Sequence, residues 1–396
     1  MSSNGSRQEP PHAAEYLDSH AAVASWISSV GGAKLVALDT EGASFHRFID
    51  RIYLLQVSTR EKTAIIDPLP IGTPSELGAL VEDPSVEIVF HDADYDLRLL
   101  NQDYGWQIRN VFDTRVAAQL MGIRAFGLAA LLERFFGLKL DKKHQRADWS
   151  MRPLSADMLE YAALDTMYLP DLRDRLKTAL ENAGRWSWAR EEFDRLEHIK
   201  WAADDDDTAF LRMKGARDLN RRELAVLREL VNWRNGVAAE LDKASFRVMG
   251  NEPLFDIARL QPRDAAGLSA IKGMPRGILE RRAPELIAAI ERGLAAKDSD
   301  LPRFPKSQRW DRDPEFDVRV SALKTARDAV AEKLDLDTGV LCARERLEAV
   351  ARAQPRTLAD FDTISELRRW QVDVLAPDFL KALAPHSGKD RSPYKE

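Results

Sequence analysis

KLVALDTE, residues 34–41, decides how the first half of the chain reads. Leu35, Val36, Ala37 and Leu38 form an unbroken apolar run that ends in the polar residues Asp39, Thr40 and Glu41. A short apolar run closed by polar residues is the pattern of a buried strand. Side chains two apart on a strand share one face, so Asp39 and Glu41 point to one place. Two close carboxylates repel, and both stay ionised only beside a cation. Mg²⁺ suits such a place, because it takes a few carboxylates and completes its shell with water and phosphate; a solvated strand end or helix cap is the plainer alternative for Asp-x-Glu alone.

Working outward, residues 52–58 (IYLLQVS) and 63–67 (TAIID) read as two further strands joined at Arg60, Glu61 and Lys62. Residues 87–90 (EIVF) are a fourth, with a helix over 75–82 between them that Pro84 stops. The pattern then predicts a helix over 94–102, a short strand at 111–113, and helices over 114–121 and 128–136, the last closed by Gly137. Ser155 is a suitable N-cap for a long helix, with Asp157 in its first turn. Pro170 is expected to kink that helix. The first half is therefore mixed α/β.

The second half reads as all-helical. A charged stretch over 185–217 contains four consecutive acids, 204–207, and is expected to be a solvated connector. Helical periodicity covers 220–241, 284–294 and 318–383, with a Pro-rich, charged linker over 295–317. ELDKASFRVMGNEPLFDIARLQP (240–262) and KLDLDTGVLCARERLEAVARAQP (333–355) share a Leu-Asp turn and a helix ending in Gln-Pro, the mark of a diverged internal duplication.

Composition bounds the function. With 58 basic and 64 acidic residues the formal charge is −6, which argues against coating nucleic acid by bulk charge but leaves local basic patches open. The single cysteine, Cys342, permits no intramolecular disulfide or zinc-finger ligand set, and reads as a small buried helix residue. The opening MSSNGSRQEPPHAAEYL lacks the apolar core of a secretory signal, and no apolar run is long enough to span a bilayer. Residues 1–15 and 385–396 are expected to be disordered, and a cytoplasmic location is expected.

Two more acidic positions stand out. Asp96 lies in HDADYDL (91–97), just after the EIVF strand, with Asp92 and Asp94 competing for any role and helix capping as the plainer alternative. Tyr161 and Asp165, in YAALD, are four apart on the Ser155 helix and share a face; a core tyrosine bonded to Asp165 is the plainer alternative there.

Taken in order, DTE at 39–41, HDADYDL at 91–97 and YAALD at 161–165 resemble the three motifs of the DEDDy 3′-5′ exonucleases. LDKKHQRADWSMRPL (140–154) resembles the segment preceding the third motif in the ribonuclease D family. LRELVNWRNGVAAELDK (227–243), LFDIARLQP (254–262) and IKGMPRGI (271–278) resemble the helicase-and-ribonuclease-D C-terminal (HRDC) domain.

The resemblance implies an α/β ribonuclease H-like exonuclease domain over 16–184, a helical, charged connector over 185–216, an HRDC domain over 217–294, a linker over 295–317 and a second HRDC-like domain over 318–384. It places Asp39, Glu41, Asp96 and Asp165 as ligands of two divalent ions, Mg²⁺ or Mn²⁺, and Tyr161 as the residue orienting the attacking water. Asp96 is chosen over Asp92 and Asp94 because the family's aspartate immediately precedes a leucine, here Leu97. Where the family often has a small residue after the motif histidine, this chain has Asp92.

The activity implied is 3′-5′ exoribonuclease action that releases nucleoside 5′-monophosphates from tRNA precursors and other structured RNAs, by a monomer. A DNA 3′-5′ exonuclease and an inactive RNA-binding scaffold remain the alternatives. Further candidates are His91 behind the ligands or in the core, and Asp113 steadying the site or capping a helix. Phe45 and His46 are candidates for base stacking. Lys142, Lys143, His144 and Arg146 form a basic loop suited to phosphate, with a merely solvated loop as the alternative. In the helical half Arg234, Lys243 and Arg247 are candidate nucleic-acid contacts, with Arg234 exposed beside a core Trp233.

Overall fold

The computed structural model describes residues 12–140, 143–202, 207–305 and 313–386. Most of each expected disordered end, acids 204–206 of the connector, part of the second linker and Lys142 lie outside the described residues.

The first half begins with β1 (Ala14–Leu17) and α1 (His20–Ser29), and continues through β2 (Leu35–Glu41), β3 (Leu54–Ser58), β4 (Thr63–Ile66), α2 (Pro68–Ile71), α3 (Ser75–Val81) and β5 (Glu87–Phe90). Then come α4 (Asp94–Tyr104), β6 (Val111–Asp113), α5 (Thr114–Leu120), α6 (Leu128–Phe136), α7 (Ala156–Met167), α8 (Leu169–Asn182) and α9 (Trp186–Leu196). The strands form one mixed sheet in the order β1-β4-β3-β2-β5-β6. β2 lies inside it, antiparallel to β3 and parallel to β5. Val36 and Leu38 pack on one face with residues of α1, α3 and α4. Ala37 faces the other way, into a core built with α5, α6, α8 and α9. Asp39 and Glu41 continue the face of Ala37, the one that α7 and α8 cover.

Four expectations need correction. Ala14 and Glu15 are in a strand rather than a disordered end, because parallel pairing with β4 (Ala14 opposite Thr63) holds them. The Ser155 helix is not kinked but divided: α7 ends at Met167 and α8 starts afresh, with Pro170 in its first turn, where a missing N–H costs nothing. Residues 186–196 of the expected connector are helical as expected, but this helix, α9, is not simply solvated: its Ala189 and Phe193 are buried in the core. Finally, the helix expected to start at Pro284 starts at Arg276; Pro284 and Glu280 are both exposed, so the carbonyl left without a donor faces solvent.

The helical half contains α10 (Ala209–Arg212) and two bundles. The first comprises α11 (Arg221–Leu241), α12 (Ser245–Val248), α13 (Asn251–Leu260), α14 (Ala265–Ser269) and α15 (Arg276–Ala295). The second comprises α16 (Phe316–Leu334), α17 (Thr338–Leu341), α18 (Arg344–Ala353) and α19 (Arg369–Leu383). The duplication is visible in the backbone: Asp242 and Asp335, at matching places, both cap helices in the left-handed region (φ 45° and 49°), as do Gln261 and Gln354 (φ 49° each). Among the described residues no helix is long and apolar enough to cross a membrane.

The second bundle docks on α9. Trp188 stacks on Trp370 at 4.9 Å and 17°. Glu191 accepts hydrogen bonds from Arg369 N (2.7 Å) and Trp370 N (3.0 Å) at the start of α19, where a carboxylate also meets the positive end of the helix dipole. The first bundle docks on the loop after β2: Ala244 N donates to the His46 carbonyl (3.2 Å), Arg47 pairs with Asp242 (3.1 Å), and Phe48 packs on the bundle's core.

Asp113 ties two chain segments together. Buried at the end of β6, it accepts N–H bonds from Arg115 (2.7 Å) and Val116 (3.1 Å), capping α5, and from Asp92 (3.2 Å) and Ala93 (2.8 Å), fixing the turn into α4. Both roles foreseen for it are therefore one arrangement. Asp113→Ala is expected to lower stability by about 3 kcal/mol in urea unfolding, since it strands several buried donors at once; a loss below about 0.5 kcal/mol would show that the turn holds itself.

Candidate metal centre

Strand β2 and helix α7 bring the acids together. Asp39 and Glu41 leave β2 on one face, and α7 crosses that face with Ala162 and Ala163 buried against it. Ser155 caps α7 through Met158 N (3.3 Å), and Thr166 anchors it to β3 through Ser58 (2.8 Å). Asp165 is thereby fixed so that Asp39, Glu41 and Asp165 each offer a carboxylate oxygen within 4.8 Å of the others. Asp96, on α4, is 4 % exposed and accepts hydrogen bonds from Thr40 N (3.0 Å) and Thr40 Oγ1 (2.6 Å), which hold it against β2 beside the three acids but outside the group whose oxygens lie within 4.8 Å of one another.

Its rivals point elsewhere. Asp92, in the left-handed region at φ 72°, pairs with Arg115, and Asp94 pairs with Arg98 (2.6 Å); both are about half exposed.

The four acids act on one another. Burial, then Asp165, raises Asp39 well above the usual carboxylate range. Glu41 is raised by burial, then by Asp39, Asp165 and Asp96, and Asp96 by burial, then by Asp39. Asp165 is pushed up to about 8 by burial, then by Asp96. Among the described residues no Lys or Arg pairs with any of the four. An all-carboxylate donor set with no Lys or Arg counter-charge among the described residues fits hard divalent cations.

Tyr161 lies one turn before Asp165. Burial, then Asp165, Glu41 and Asp39, raises its phenol, which stays protonated beside the acids. No hydrogen bond joins it to Asp165 among the described residues, so the core-pair alternative is not what is seen. Its ring packs near His144 (5.8 Å) and Trp149 (6.2 Å), placing the basic loop beside it. Arg152 holds that loop to the sheet, through Asp67 (2.8 Å) and the Tyr53 carbonyl (2.8 Å).

The remaining candidates divide. His91 is half-buried: Nδ1 meets Thr114 Oγ1 at 2.9 Å, and burial lowers the ring to about 4, leaving it neutral. Lys143 and Arg146 are exposed; Lys143 lies 3.6 Å from Asp157, and Arg146 sits over the Phe45 ring at 5.4 Å. Phe45 and Lys243 are exposed as well. His46 is not available for stacking, since Nε2 donates to the Arg146 carbonyl (3.1 Å), Nδ1 accepts from Arg247 (3.2 Å) and its side chain is 19 % exposed. Arg247 is spent on the same loop, donating also to the Phe45 carbonyl. Arg234 is buried rather than exposed, bonded to Asn251 Oδ1 (2.8 Å) and the Met249 carbonyl (3.3 Å), while Trp233 is core as expected. Turning residues inward at i and i+1 of α11 is possible because α12, α13 and α15 wrap it.

Two residues near the acids were missed. Gln56 is fully buried opposite Asp39 in β3, and its Nε2 is 3.5 Å from Glu41 Oε1. The signal was there, a lone amide in the apolar run IYLLQVS. Gly42, directly after Glu41, packs so closely that an added Cβ would lie 2.0 Å from the Tyr95 hydroxyl. Nothing in the sequence shows that approach.

The raised acids make stability depend on pH. Without a metal, Asp165 keeps its proton at pH values where the unfolded chain, titrating near about 4, has lost it. Stability is therefore fully present at low pH and falls as pH rises toward about 8. A divalent ion replaces the proton. The melting temperature of EDTA-treated protein is expected to fall between about pH 6 and about pH 8.5, and Mg²⁺ or Mn²⁺ should raise it more at the higher pH. A metal-induced shift equal at both would contradict this electrostatic picture.

The profile of the 3′-5′ exonuclease family matches residues 14–181, and that of the HRDC domain matches twice, at 223–290 and 317–383. Ribonuclease D of Granulibacter bethesdensis is 32 % identical over 348 residues, covering 87 % of this chain and 86 % of that protein. The crystal structure of Escherichia coli RNase D, described as an exoribonuclease involved in structured RNA processing, superposes with a TM-score of 0.74 at 25 % identity, over 96 % of this chain and 100 % of that one. A protein from Bifidobacterium adolescentis superposes with a TM-score of 0.81 at 27 % identity, over 93 % and 96 %. With the acidic cluster at the end of β2, these likenesses establish that the chain belongs to the ribonuclease D family and is a 3′-5′ exoribonuclease.

Proposed function

We propose that Asp39, Glu41, Asp96 and Asp165 hold two divalent ions, Mg²⁺ or Mn²⁺, and that the chain trims the 3′ ends of structured RNAs, tRNA precursors above all, releasing nucleoside 5′-monophosphates. The observation that carries the reading is the meeting of carboxylate oxygens from β2 and α7 within 4.8 Å, with buried Asp96 alongside and no basic partner among the described residues. Bound divalent ions supply an activated water and neutralise charge on the scissile phosphate and the leaving 3′ oxygen. The chain's own part is to fix the ligands. Thr40 sets Asp96, Gln56 borders Glu41, and Ser58 anchors the helix bearing Asp165.

Tyr161, protonated beside these acids, orients the attacking water through its hydroxyl. The exposed cations Lys143 and Arg146 are suited to backbone phosphate near the tyrosine. The paired HRDC domains, and the structured-RNA role of the Escherichia coli relative, support folded RNAs with 3′ extensions as substrates. A monomer working in the cytoplasm completes the proposal.

The test uses 5′-labelled single-stranded RNA, matched DNA and a 3′-extended tRNA, each with Mg²⁺ or Mn²⁺. Asp39→Asn or Asp165→Asn is expected to cut hydrolysis by at least about a thousandfold while leaving the fold intact, because several kcal/mol of transition-state stabilisation is lost. Tyr161→Phe, which removes one hydroxyl, is expected to cost about tenfold. Normal turnover by either aspartate variant would remove the ligand assignment, and preference for DNA would remove the substrate.

A further inference from the structure

Phe45 and Phe246 are 46 % and 54 % exposed, and they come from different domains. Phe45 is four residues past Glu41 in the loop after β2, and Phe246 is on α12 of the first HRDC domain. Their ring centroids are 6.2 Å apart at an interplanar angle of 77°, an edge-to-face pair, with the Arg146 guanidinium 5.4 Å from the Phe45 centroid. Two phenylalanines half in water forgo much of the burial that ordinarily places them.

The surroundings hold them there. On one side the loop is fastened to α12 through main-chain atoms: Ala244 N donates to the His46 carbonyl at 3.2 Å, and Arg247, next to Phe246, donates to the Phe45 carbonyl. On the other side His46 donates to the Arg146 carbonyl at 3.1 Å, and the loop carrying Arg146 sets His144 and Trp149 against the Tyr161 ring. The aromatic pair is thus linked to the rim of the acidic cleft, with exposed Arg146 and Lys243 nearby in space or chain.

We propose that Phe45 and Phe246 form a stacking platform, shared between the two domains, for unpaired bases of the single-stranded RNA that leads into the acidic cleft, with Arg146 meeting the adjoining phosphate. The proposal rests on the exoribonuclease reading of that cleft. Every base has a face that an aromatic ring can cover, so the platform grips a strand without choosing its sequence, as an enzyme that removes successive nucleotides requires. It gives the first HRDC domain a direct part in gripping the strand at the cleft, through the Phe246 side chain.

The test measures binding of a single-stranded RNA of about eight nucleotides to the full-length chain carrying Asp39→Asn, so that substrate is not consumed. Adding Phe246→Ala is expected to weaken binding about tenfold, and Phe246→Trp to restore it. Phe246→Leu, which keeps bulk but not a ring, is expected to be as weak as alanine. Full affinity in the alanine or leucine variant, or no recovery with tryptophan, would overturn the platform. If the chain with Asp39 intact shortens RNA in a metal-dependent way while Phe246→Ala binds normally, the platform alone is lost. Absence of any such shortening would remove the exoribonuclease reading itself.

Discussion

Mutual repulsion among four carboxylates at the end of β2 is the constraint around which the exonuclease domain is arranged. Asp39 and Glu41 are brought together by strand geometry, Asp165 by a helix crossing the sheet, and Asp96 by two hydrogen bonds from Thr40. Each is raised chiefly by burial and further by its neighbours, and among the described residues none is paired with Lys or Arg. The rest of the domain resists this repulsion. Ser58 and Thr166 join the sheet to α7, and Asp113 locks the turn from which α4 springs. A divalent ion offsets both the burial and the neighbouring charge that disfavour the ionised carboxylates.

The two bundles meet this domain in different ways. The second lies on α9, through a Trp188–Trp370 stack and the Glu191 carboxylate capping α19. The first grips the very loop that follows Glu41, by hydrogen bonds that use backbone atoms. A duplicated module thus serves two ends. The matched left-handed caps at Asp242 and Asp335 illustrate it: the former pairs with Arg47 of the loop after β2, whereas the backbone of the latter lies against Gly122, where an added Cβ would be 2.1 Å from its carbonyl.

Local chemistry made much of this legible in the sequence. The apolar run ending in Asp39, the Ser155 cap, the glycine closing α6 and the four-residue spacing of Tyr161 and Asp165 each depend on near neighbours, and each has its structural counterpart. The choice of Asp96 came from family resemblance to the Asp-Leu step; in the structure Asp96 is buried against Thr40, whereas Asp92 and Asp94 find basic partners at the surface. What was not legible depends on distant chain. Strand β1 exists because β4 pairs with it, α9 because a core receives Phe193, and Arg234 turns inward because Asn251 and Met249 meet it. His46 and Arg247 look like substrate contacts in the sequence because nothing there reveals that they bond to each other. Likewise Phe246 has no mark of its own until the fold sets it beside Phe45.

The central claim is that the acidic cluster is a binding site for two divalent ions. The most direct measurement is a Mn²⁺ titration of the full-length chain, read by electron paramagnetic resonance, with Asp39→Asn alongside. The account predicts two bound ions per chain, released again on acidification, and loss of at least one in the variant. A wild-type chain that binds no Mn²⁺ at neutral pH, or a variant that binds as many ions as tightly, would contradict it.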